Sequence, residues 1–463
     1  MIRRTIERDL ERWRQEKHRK PLILRGARQV GKTTTVKAFS RNFKIFLDVN
    51  LDLEEDRQLF ERELNARDLL QLICLRQAQP FELESSLLFI DEIQFSALAI
   101  KMLRYFYEDI PELAVIAAGS LLEAVVSDEH QSFPVGRTEN LWIYPLSFEE
   151  FLGATGRKDL LDAYHSIPAS IPQIEELGRQ FKVYTMLGGM PEAVAKYIES
   201  SDMVIVNRVY ESLVSAYLED VDKYATDKTL ARALVHILKT APGEAGKRIT
   251  LEGFGSSGYK AQTIRDAFDK LQKARLLKLY YPVTAVTLPC VPNYRRKPRL
   301  QTLDTGLLNY QLGIQEEYYL AQNLESVYKG LMIQHIVGQE LETLWNTSAS
   351  RLSFWVREKY QSSAEVDFVL PHRGKLIPIE VKSGKTGSLR SLIQFMLLAE
   401  HDLAVRIYEG SLGVDQMSLP DGRNFRLLNL PLCLSAKVLE YVDHFLLRSG
   451  AAAKKKLTQM SKP

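Results

Sequence analysis

One short motif constrains the fold of this chain more than any other feature: a G-x-x-x-x-G-K-T sequence at residues 26–33. It follows an apolar run at 21–24 and leads into a segment at 34–39 that predicts the start of a helix. A strand, a glycine turn and a helix N-terminus in this order form a cradle for phosphate groups. The residues expected to contact a bound nucleotide are Gly26, Ala27, Arg28, Gln29, Val30, Gly31, Lys32, Thr33 and Thr34.

The residue types in this loop indicate which phosphate chemistry it serves. The two glycines let the backbone curl so that its N–H groups converge on a phosphate chain. Lys32 supplies a positive charge to the β- and γ-phosphates, and the Thr33 hydroxyl is a ligand for Mg²⁺. We therefore expect the chain to bind ATP together with Mg²⁺.

A pair of acidic residues, Asp91 and Glu92, follows a second apolar run at 87–90. Such a run is typical of a central parallel strand, and ligands bind beyond the carboxyl ends of these strands. Asp91 is expected to hold Mg²⁺ through water, and Glu92 to polarise the attacking water as the general base. A further strand at 113–118 ends near Ser120, which either senses the γ-phosphate or is an ordinary polar residue at a strand end.

The composition is that of a large globular protein with several domains. The chain has 463 residues, 45% of them hydrophobic and 26% charged, and it is too long for a single core. The formal net charge of +3 does not by itself indicate a nucleic-acid partner. The three cysteines lack metal or disulfide spacing, and no apolar stretch reaches membrane-spanning length. We expect a cytoplasmic protein that does not bind a membrane.

The order of elements predicts an α/β multidomain protein. Strands alternate with helices up to residue 155, which predicts a doubly wound parallel sheet. A mostly helical stretch follows at 156–225. Predicted helices at 226–240 and 260–274 precede a strand-like segment at 276–281, an order that favours a winged helix-turn-helix.

A predicted hairpin at 364–382 carries a second set of residues that are suited to catalysis. Glu380 and Lys382 lie two apart on one strand and so share a face, and pairing with the first strand can bring Asp367 to that face. Two carboxylates and an ammonium group form a Mg²⁺ site suited to phosphodiester cleavage, as in PD-(D/E)xK nucleases. The alternative is an exposed polar strand face with a surface salt bridge.

Together these segments resemble a bacterial and archaeal ATPase family in which an AAA-like P-loop core is joined to a C-terminal PD-(D/E)xK nuclease-like domain. The resemblance covers nearly the whole chain. Besides the phosphate loop, the motifs that carry it are Phe89-Ile90-Asp91-Glu92-Ile93-Gln94, Gly136-Arg137, Tyr144-Pro145-Leu146-Ser147-Phe148-Glu149-Glu150-Phe151, Gly188-Gly189-Met190-Pro191, Leu303-Asp304-Thr305-Gly306-Leu307, and Glu365-Val366-Asp367 with Glu380-Val381-Lys382.

The resemblance implies both a domain order and a further catalytic residue. The implied domains are a RecA-like, AAA-type ATPase core at 1–155, a helical lid at 156–225, a winged helix at 226–315, a restriction-endonuclease-like α/β domain at 316–448 and a basic flexible tail at 449–463. Arg137 would be an arginine finger for the γ-phosphate, in cis or in trans, and action in trans requires a homo-oligomer. The alternative is a loop arginine bound to a nearby acid.

The chain departs from the family pattern on a helix at 329–337, where relatives often carry a metal-binding glutamate and this chain has Gln334. A neutral amide binds a divalent cation less well than a carboxylate does. Glu325 or Glu340 could replace it only if the helix geometry allows. An active nuclease and a metal-poor relic that only binds DNA are therefore both open.

Two segments are candidates for contact with DNA. The helix at 260–274 could enter a major groove, and the basic run at 295–299 could bind phosphate as a wing; either could instead be a solvated surface. The polar residues on the first turns of the helix are Lys260, Gln262, Thr263 and Arg265.

These patterns predict a Mg²⁺-dependent ATPase whose nucleotide state controls a nuclease-like domain acting on DNA. The expected catalytic residues are Glu92, Arg137, Asp367, Glu380 and Lys382. The alternative is an ATP-switched regulatory or partner-binding protein with an inactive nuclease fold.

Overall fold

The structure is a computed structural model that describes residues 2–119, 134, 136–315, 331–345, 352–358, 364–384 and 389–447. Its strands are β1 (Leu22–Arg25), β2 (Ile45–Asn50), β3 (Ser86–Asp91), β4 (Ala114–Gly119), β5 (Glu139–Trp142), β6 (Leu277–Tyr280), β7 (Pro282–Val283), β8 (Arg299–Thr302), β9 (Ser353–Val356), β10 (Glu365–His372), β11 (Lys375–Lys382), β12 (Leu403–Tyr408), β13 (Gly413–Ser418) and β14 (Asn424–Pro431). Its α-helices are α1 (Glu7–Gln15), α2 (Lys32–Phe39), α3 (Glu54–Glu61), α4 (Ala66–Arg76), α5 (Ala97–Asp109), α6 (Phe148–Ala154), α7 (Lys158–His165), α8 (Ile171–Leu187), α9 (Pro191–Ser200), α10 (Met203–Glu219), α11 (Val221–Tyr224), α12 (Lys228–Glu244), α13 (Ala261–Lys273), α14 (Thr305–Leu312), α15 (Leu331–Glu342), α16 (Arg390–Leu398) and α17 (Val438–Tyr441).

The first sheet confirms the parallel sheet predicted from the sequence. Among the described residues it has five strands in the order β2-β3-β4-β1-β5, all of them parallel. β3 and β4 are buried along their whole length between two apolar clusters, which explains their continuous apolar sequences. The segments that follow β1 and β3 begin at one edge of the sheet, because parallel strands end at the same edge.

Helices α6 to α12 follow the first sheet, as the mostly helical stretch predicted. Helix α6 begins with a capping box, in which the side chains of Ser147 and Glu150 each accept from the other's backbone. The chain turns between α8 and α9 at Gly188 and Gly189. An added Cβ on Gly189 would lie 2.1 Å from the Leu146 carbonyl oxygen, so this close approach requires glycine.

The two helices predicted at 226–240 and 260–274 are observed as α12 and α13. They pack on each other and precede β6, which pairs with β8 in an antiparallel two-stranded sheet. Helix α13 has a strongly one-sided apolar face, and its Ile264, Phe268 and Leu271 are buried.

The second sheet contains the predicted hairpin. Within the described ranges its strands lie in the order β13-β14-β12-β11-β10-β9-β7. β10 and β11 pair antiparallel, with Phe368 opposite Ile379, whereas β11, β12 and β14 run parallel to one another. This register places Asp367 next to Glu380 on neighbouring strands.

Helix α15 connects the two sheets through one continuous core. Its Ile333, Ile336 and Leu341 belong to the same buried apolar cluster as Leu24 of β1 and Ile379 of β11. The half that contains the first sheet and the C-terminal half therefore pack against each other directly. Among the described helices, none is long and apolar enough to cross a membrane.

Candidate functional site

The phosphate loop lies between β1 and α2, as its sequence predicted. Gly31 precedes α2 with a φ of 94°, in the left-handed region that favours glycine. An added Cβ on Gly26 would lie 2.3 Å from the Ile143 carbonyl oxygen. No side chain caps α2, so the N–H groups of its first turn are available to an anion. The loop therefore fits a phosphate chain.

Lys32 is buried inside this loop, with only 6% of its surface exposed. Its Nζ donates to the carbonyl oxygens of Gly26 at 3.0 Å and Ala27 at 2.8 Å. Burial lowers the pKa of Lys32 to about 8, and the nearby carboxylates of Glu92 and Asp91 oppose this shift. The ammonium group remains charged at neutral pH and lies where it can meet phosphate.

Thr33 and Asp91 meet at the edge of the sheet. The Thr33 hydroxyl donates to Asp91 Oδ2 at 2.7 Å, and the Glu92 N–H donates to Asp91 Oδ1 at 3.0 Å. Burial raises the pKa of Asp91, and the Thr33 hydrogen bond opposes this shift. Hydroxyl and carboxylate oxygens are ligands that Mg²⁺ prefers, so these residues fit the ion that accompanies ATP.

Glu92 is held by Gln94, which belongs to the same sequence motif but was assigned no role there. Glu92 has a φ of 51°, and Gln94 Nε2 donates to Glu92 Oε2. Gln94 Oε1 is buried and has no hydrogen-bond partner among the described residues. It occupies the space beside Gly119, where an added Cβ would lie 2.4 Å away. Ser120, the predicted γ-phosphate sensor, lies outside the described residues.

The middle of the phosphate loop is bound by the helical region. Arg28 forms an ion pair with Asp220 at 2.6 Å, and the Tyr217 hydroxyl donates to the Arg28 carbonyl oxygen at 3.2 Å. Gln29 has a φ of 65°, and Thr34 is exposed. These contacts join α10 and the residue after it to the nucleotide site.

The other side of the loop is bound by a residue before α1. Arg4 donates to the Val30 carbonyl oxygen at 2.8 Å and to the Tyr144 carbonyl oxygen at 2.7 Å. It also forms an ion pair with Glu150 at 3.1 Å. Arg4 therefore ties the loop to the segment that follows β5.

The structure does not bring Arg137, the predicted arginine finger, to the phosphate loop of its own chain. Parallel pairing of Leu22 with Glu139 places Arg137 at the amino ends of the strands. The phosphate loop begins after Arg25, at the carboxyl ends. Arg137 instead donates to Glu108 at 2.7 Å, on the surface. Action in trans stays a prediction.

The structure brings the second predicted set together. Lys382 Nζ lies 2.6 Å from Glu380 Oε1, and the Val381 N–H donates to Asp367 Oδ2 at 2.7 Å. Gln334, on α15, donates its amide N–H to Asp367 Oδ1. The neutral residue noted in the sequence thus binds directly to the motif aspartate.

Burial makes both carboxyl groups of this cluster harder to ionise. Burial raises the pKa of Asp367 and raises that of Glu380 to about 8, with the Asp367 charge adding to the shift of Glu380. Glu380 Oε2 is buried without a hydrogen-bond partner among the described residues. A divalent cation fits only in part, because this oxygen is open while both Asp367 oxygens already accept from N–H groups. Across the described ranges, no group of three or more His, Cys, Asp or Glu residues could hold a metal.

Glu340, one of the two suggested replacements for the missing glutamate, does not complete the cluster. Glu340 Oε1 accepts from the Phe148 N–H at 3.1 Å and the Tyr184 hydroxyl at 2.8 Å, so it contacts the helical region instead. Glu325 lies outside the described residues.

The basic run at 295–299 is not a uniform exposed patch. Arg299 is buried, forms an ion pair with Glu365 and donates to the Asp367 carbonyl oxygen at 2.7 Å. Arg295 and Lys297 are exposed. Arg299 is therefore a structural residue beside the carboxylate cluster and cannot bind phosphate as predicted.

Family models match three parts of the chain. Residues 18–152 match an AAA domain. This match supports a P-loop ATPase domain in that part of the chain. Residues 178–318 and 329–431 match two domains of unknown function, DUF8612 and DUF4143, which assign no activity to the C-terminal half. No curated protein matches the chain.

Similarity to solved structures is low. A Walker-type ATPase of Pyrococcus abyssi is 14% identical, with 67% of this chain and 96% of that chain covered and a TM-score of 0.43. The ORC2 protein of Aeropyrum pernix, in ADPNP and ADP complexes, is 12% identical, with 69% and 96% covered and a TM-score of 0.34. These values are too low to support an argument about function.

Proposed function

We propose that this protein is a cytoplasmic, Mg²⁺-dependent ATPase. The observation that carries the proposal is the meeting of Lys32, Thr33, Asp91 and Glu92 at one edge of the first sheet. Lys32 and the first turn of α2 would bind the phosphates, and Thr33 with Asp91 would hold Mg²⁺. The Glu92 carboxylate would orient the attacking water and accept its proton.

The test compares ATP binding and ATP hydrolysis in three variants. Lys32→Ala should lose both, whereas Glu92→Gln should still bind ATP and hydrolyse it roughly 10²- to 10⁴-fold more slowly. Lys37→Ala is the matched control, because Lys37 lies on the same helix and pairs with Asp48 on the surface. Unchanged binding and hydrolysis in Lys32→Ala would contradict the proposal.

We also propose that Arg137 acts in trans, within a homo-oligomer. Its position at the far edge of the sheet supports this, since a second copy could present it to a neighbouring nucleotide. Arg137→Ala and Glu92→Gln should each be inactive alone. Mixing them should restore hydrolysis, because one subunit then supplies Glu92 and the other Arg137. A mixture that stays inactive would argue against a shared site.

We propose that the nucleotide state controls the C-terminal domain, which acts on DNA. The division into an ATPase core at 1–155, a lid at 156–225, a winged helix at 226–315 and a nuclease-like domain at 316–448 is part of this proposal. Direct packing of α15 between the two halves supports it. The test is cleavage of linear, circular and single-stranded DNA with Mg²⁺ or Mn²⁺, with and without ATP. Lys382→Ala should abolish cutting.

A second candidate function is an ATP-switched regulatory protein with an inactive nuclease fold. The Gln334 amide on Asp367 favours it, because it occupies one of the oxygens that a cation would need. In that case no DNA is cut although ATP is hydrolysed. Gln334→Glu would then be the informative variant, since a third carboxylate should raise affinity for Mn²⁺.

A further inference from the structure

A partly exposed aromatic pair lies on the surface beside α13. The rings of Tyr281 and Tyr294 are 4.7 Å apart at their centroids and inclined by 58°. Tyr294 is 71% exposed, although it sits next to another aromatic ring. Tyr281 lies between β6 and β7, and Tyr294 lies in the connection from β7 to β8. The Tyr294 ring is therefore open to solvent, whereas Tyr281 is partly buried against the core.

This pair is one wall of a groove with a volume of about 410 Å³. Arg265 of α13 and Ser353 of β9 also line the groove. Its polar and aromatic walls converge in the space between α13 and the second sheet. The groove is therefore built in part from the helix for which contact with DNA was considered, and Tyr294 directly precedes the basic run at 295–299.

Three cations lie in or next to the groove in the chain: Arg265 lines it, and Arg295 and Lys297 follow Tyr294 in sequence. Asp269 also lines the groove and pairs with Lys273. Arg265, Arg295 and Lys297 are exposed, and within the described part of the chain none of them forms an ion pair. Two other nearby cations do form ion pairs, because Arg248 and Arg299 both pair with Glu365. Free cations beside exposed aromatic rings are the combination that binds the phosphates and bases of unpaired nucleotides.

The groove lies near the carboxylate cluster. Val283 of β7 pairs with Trp355, and Trp355 pairs with Val366, the residue before Asp367. Two strand spacings of about 4.8 Å separate β7 from β10, so Tyr281 is within roughly 10 to 15 Å of Asp367. A strand held on the tyrosine pair would lie beside the cluster that contains Glu380.

We propose that Tyr281 and Tyr294 form a stacking platform for unpaired bases of single-stranded nucleic acid, with Arg265, Arg295 and Lys297 contacting its phosphates. The inference rests on the proposed action on DNA and narrows the substrate to single strands or frayed ends. Stacking requires an open base face, which a paired duplex does not offer. Phosphate contacts, by contrast, form with single strands and duplexes alike.

The test is fluorescence anisotropy of the full-length protein with labelled oligothymidylate of about 15 nucleotides, a length within the range of known single-strand sites. Oligouridylate and a duplex of equal length form the other arms, so that DNA and RNA are distinguished. Tyr294→Ala should weaken single-strand binding by about 5- to 100-fold and leave duplex binding within twofold. Tyr294→Phe should bind like the wild type, because phenylalanine keeps the ring.

Two controls make the result specific. Tyr105→Ala removes an exposed tyrosine of α5, far from the groove in sequence, and should have no effect. Arg295→Ala should lower the slope of log affinity against log salt concentration by about one. ATP hydrolysis by Tyr294→Ala should stay unchanged, which shows that the variant is folded.

The outcomes separate this inference from the proposed function. If the wild type binds single strands and Tyr294→Ala binds them equally well, the platform is refuted while action on DNA stands. If the wild type binds no oligonucleotide, both are overturned, and the groove would belong to a protein partner.

Discussion

The stability of this protein should fall between pH 4.5 and about 7 because of one buried carboxyl group, that of Glu340. Glu340 is 1% exposed and accepts hydrogen bonds from the Phe148 N–H and the Tyr184 hydroxyl through a single oxygen. Burial raises the pKa of Glu340 to about 7, and the charges of Glu150 and Glu149 act in the same direction. The Tyr184 hydrogen bond lowers it in part.

The direction of the effect follows from proton linkage. In the unfolded chain Glu340 releases its proton near its ordinary pKa of 4.5, whereas in the folded chain it keeps the proton up to about 7. The folded state thus binds more protons in this interval, and the free energy of unfolding decreases as the pH rises through it. The difference between the two pKa values corresponds to about 3 kcal/mol, at about 1.4 kcal/mol for each pKa unit.

Glu340→Gln isolates this contribution, because glutamine keeps an acceptor oxygen and does not titrate. Urea unfolding, followed by tryptophan fluorescence, should give similar stabilities for wild type and variant near pH 4.5. Near pH 8 the variant should be more stable by about 3 kcal/mol. Glu192→Gln, at an exposed glutamate, should match the wild type at both values. If the stability difference between Glu340→Gln and the wild type is the same at both pH values, the reasoning is refuted.

Three further predictions concern positions that the structure ties to the site. Gly26→Ala should abolish ATP binding, measured with a fluorescent nucleotide, because the new Cβ would lie 2.3 Å from the Ile143 carbonyl oxygen and the loop must move. Gln94→Ala should lower kcat of ATP hydrolysis by roughly tenfold and leave KM nearly unchanged, since the general base loses the group that orients it. Asp304→Ala should destabilise the protein by about 2 to 4 kcal/mol in urea unfolding, because it removes the cap of α14 and leaves the buried Gly189 N–H without its acceptor. Equal stability of that variant would contradict the assigned contacts.

The first sheet and its phosphate loop could be predicted from the sequence because their signals are local. The strand, the glycines and the helix start all lie within 21–39, and the acidic pair directly follows a continuous apolar strand. The hairpin with Asp367, Glu380 and Lys382 was predictable for the same reason, since alternation along a strand fixes which residues share a face.

The groups that hold these residues could not be predicted, because their partners are distant in sequence. Arg28 pairs with Asp220 across 192 positions, and Arg4 reaches the Val30 carbonyl oxygen across 26. Neither pair has a short, regular spacing that would reveal it in a single sequence. Gln94 did offer a weak signal, as a polar side chain just after the acidic pair. The burial of Arg299 had none, since in the sequence it is one more arginine of the basic run at 295–299.

Helix α15 supplies a physical route for the proposed coupling between the two sites. At one end Gln334 donates to Asp367, and at the other Glu342 pairs with Lys278 at 2.6 Å. The Tyr144 hydroxyl, beside the wall of the phosphate loop, donates at 3.4 Å to a backbone carbonyl oxygen just after α15. Eight residues of helix separate the two ends, about 12 Å, and a packed helix of this length moves as a rigid body. A displacement of the loop wall by nucleotide would therefore change the hydrogen bond at Asp367, and with it the electrostatics of the carboxylate cluster.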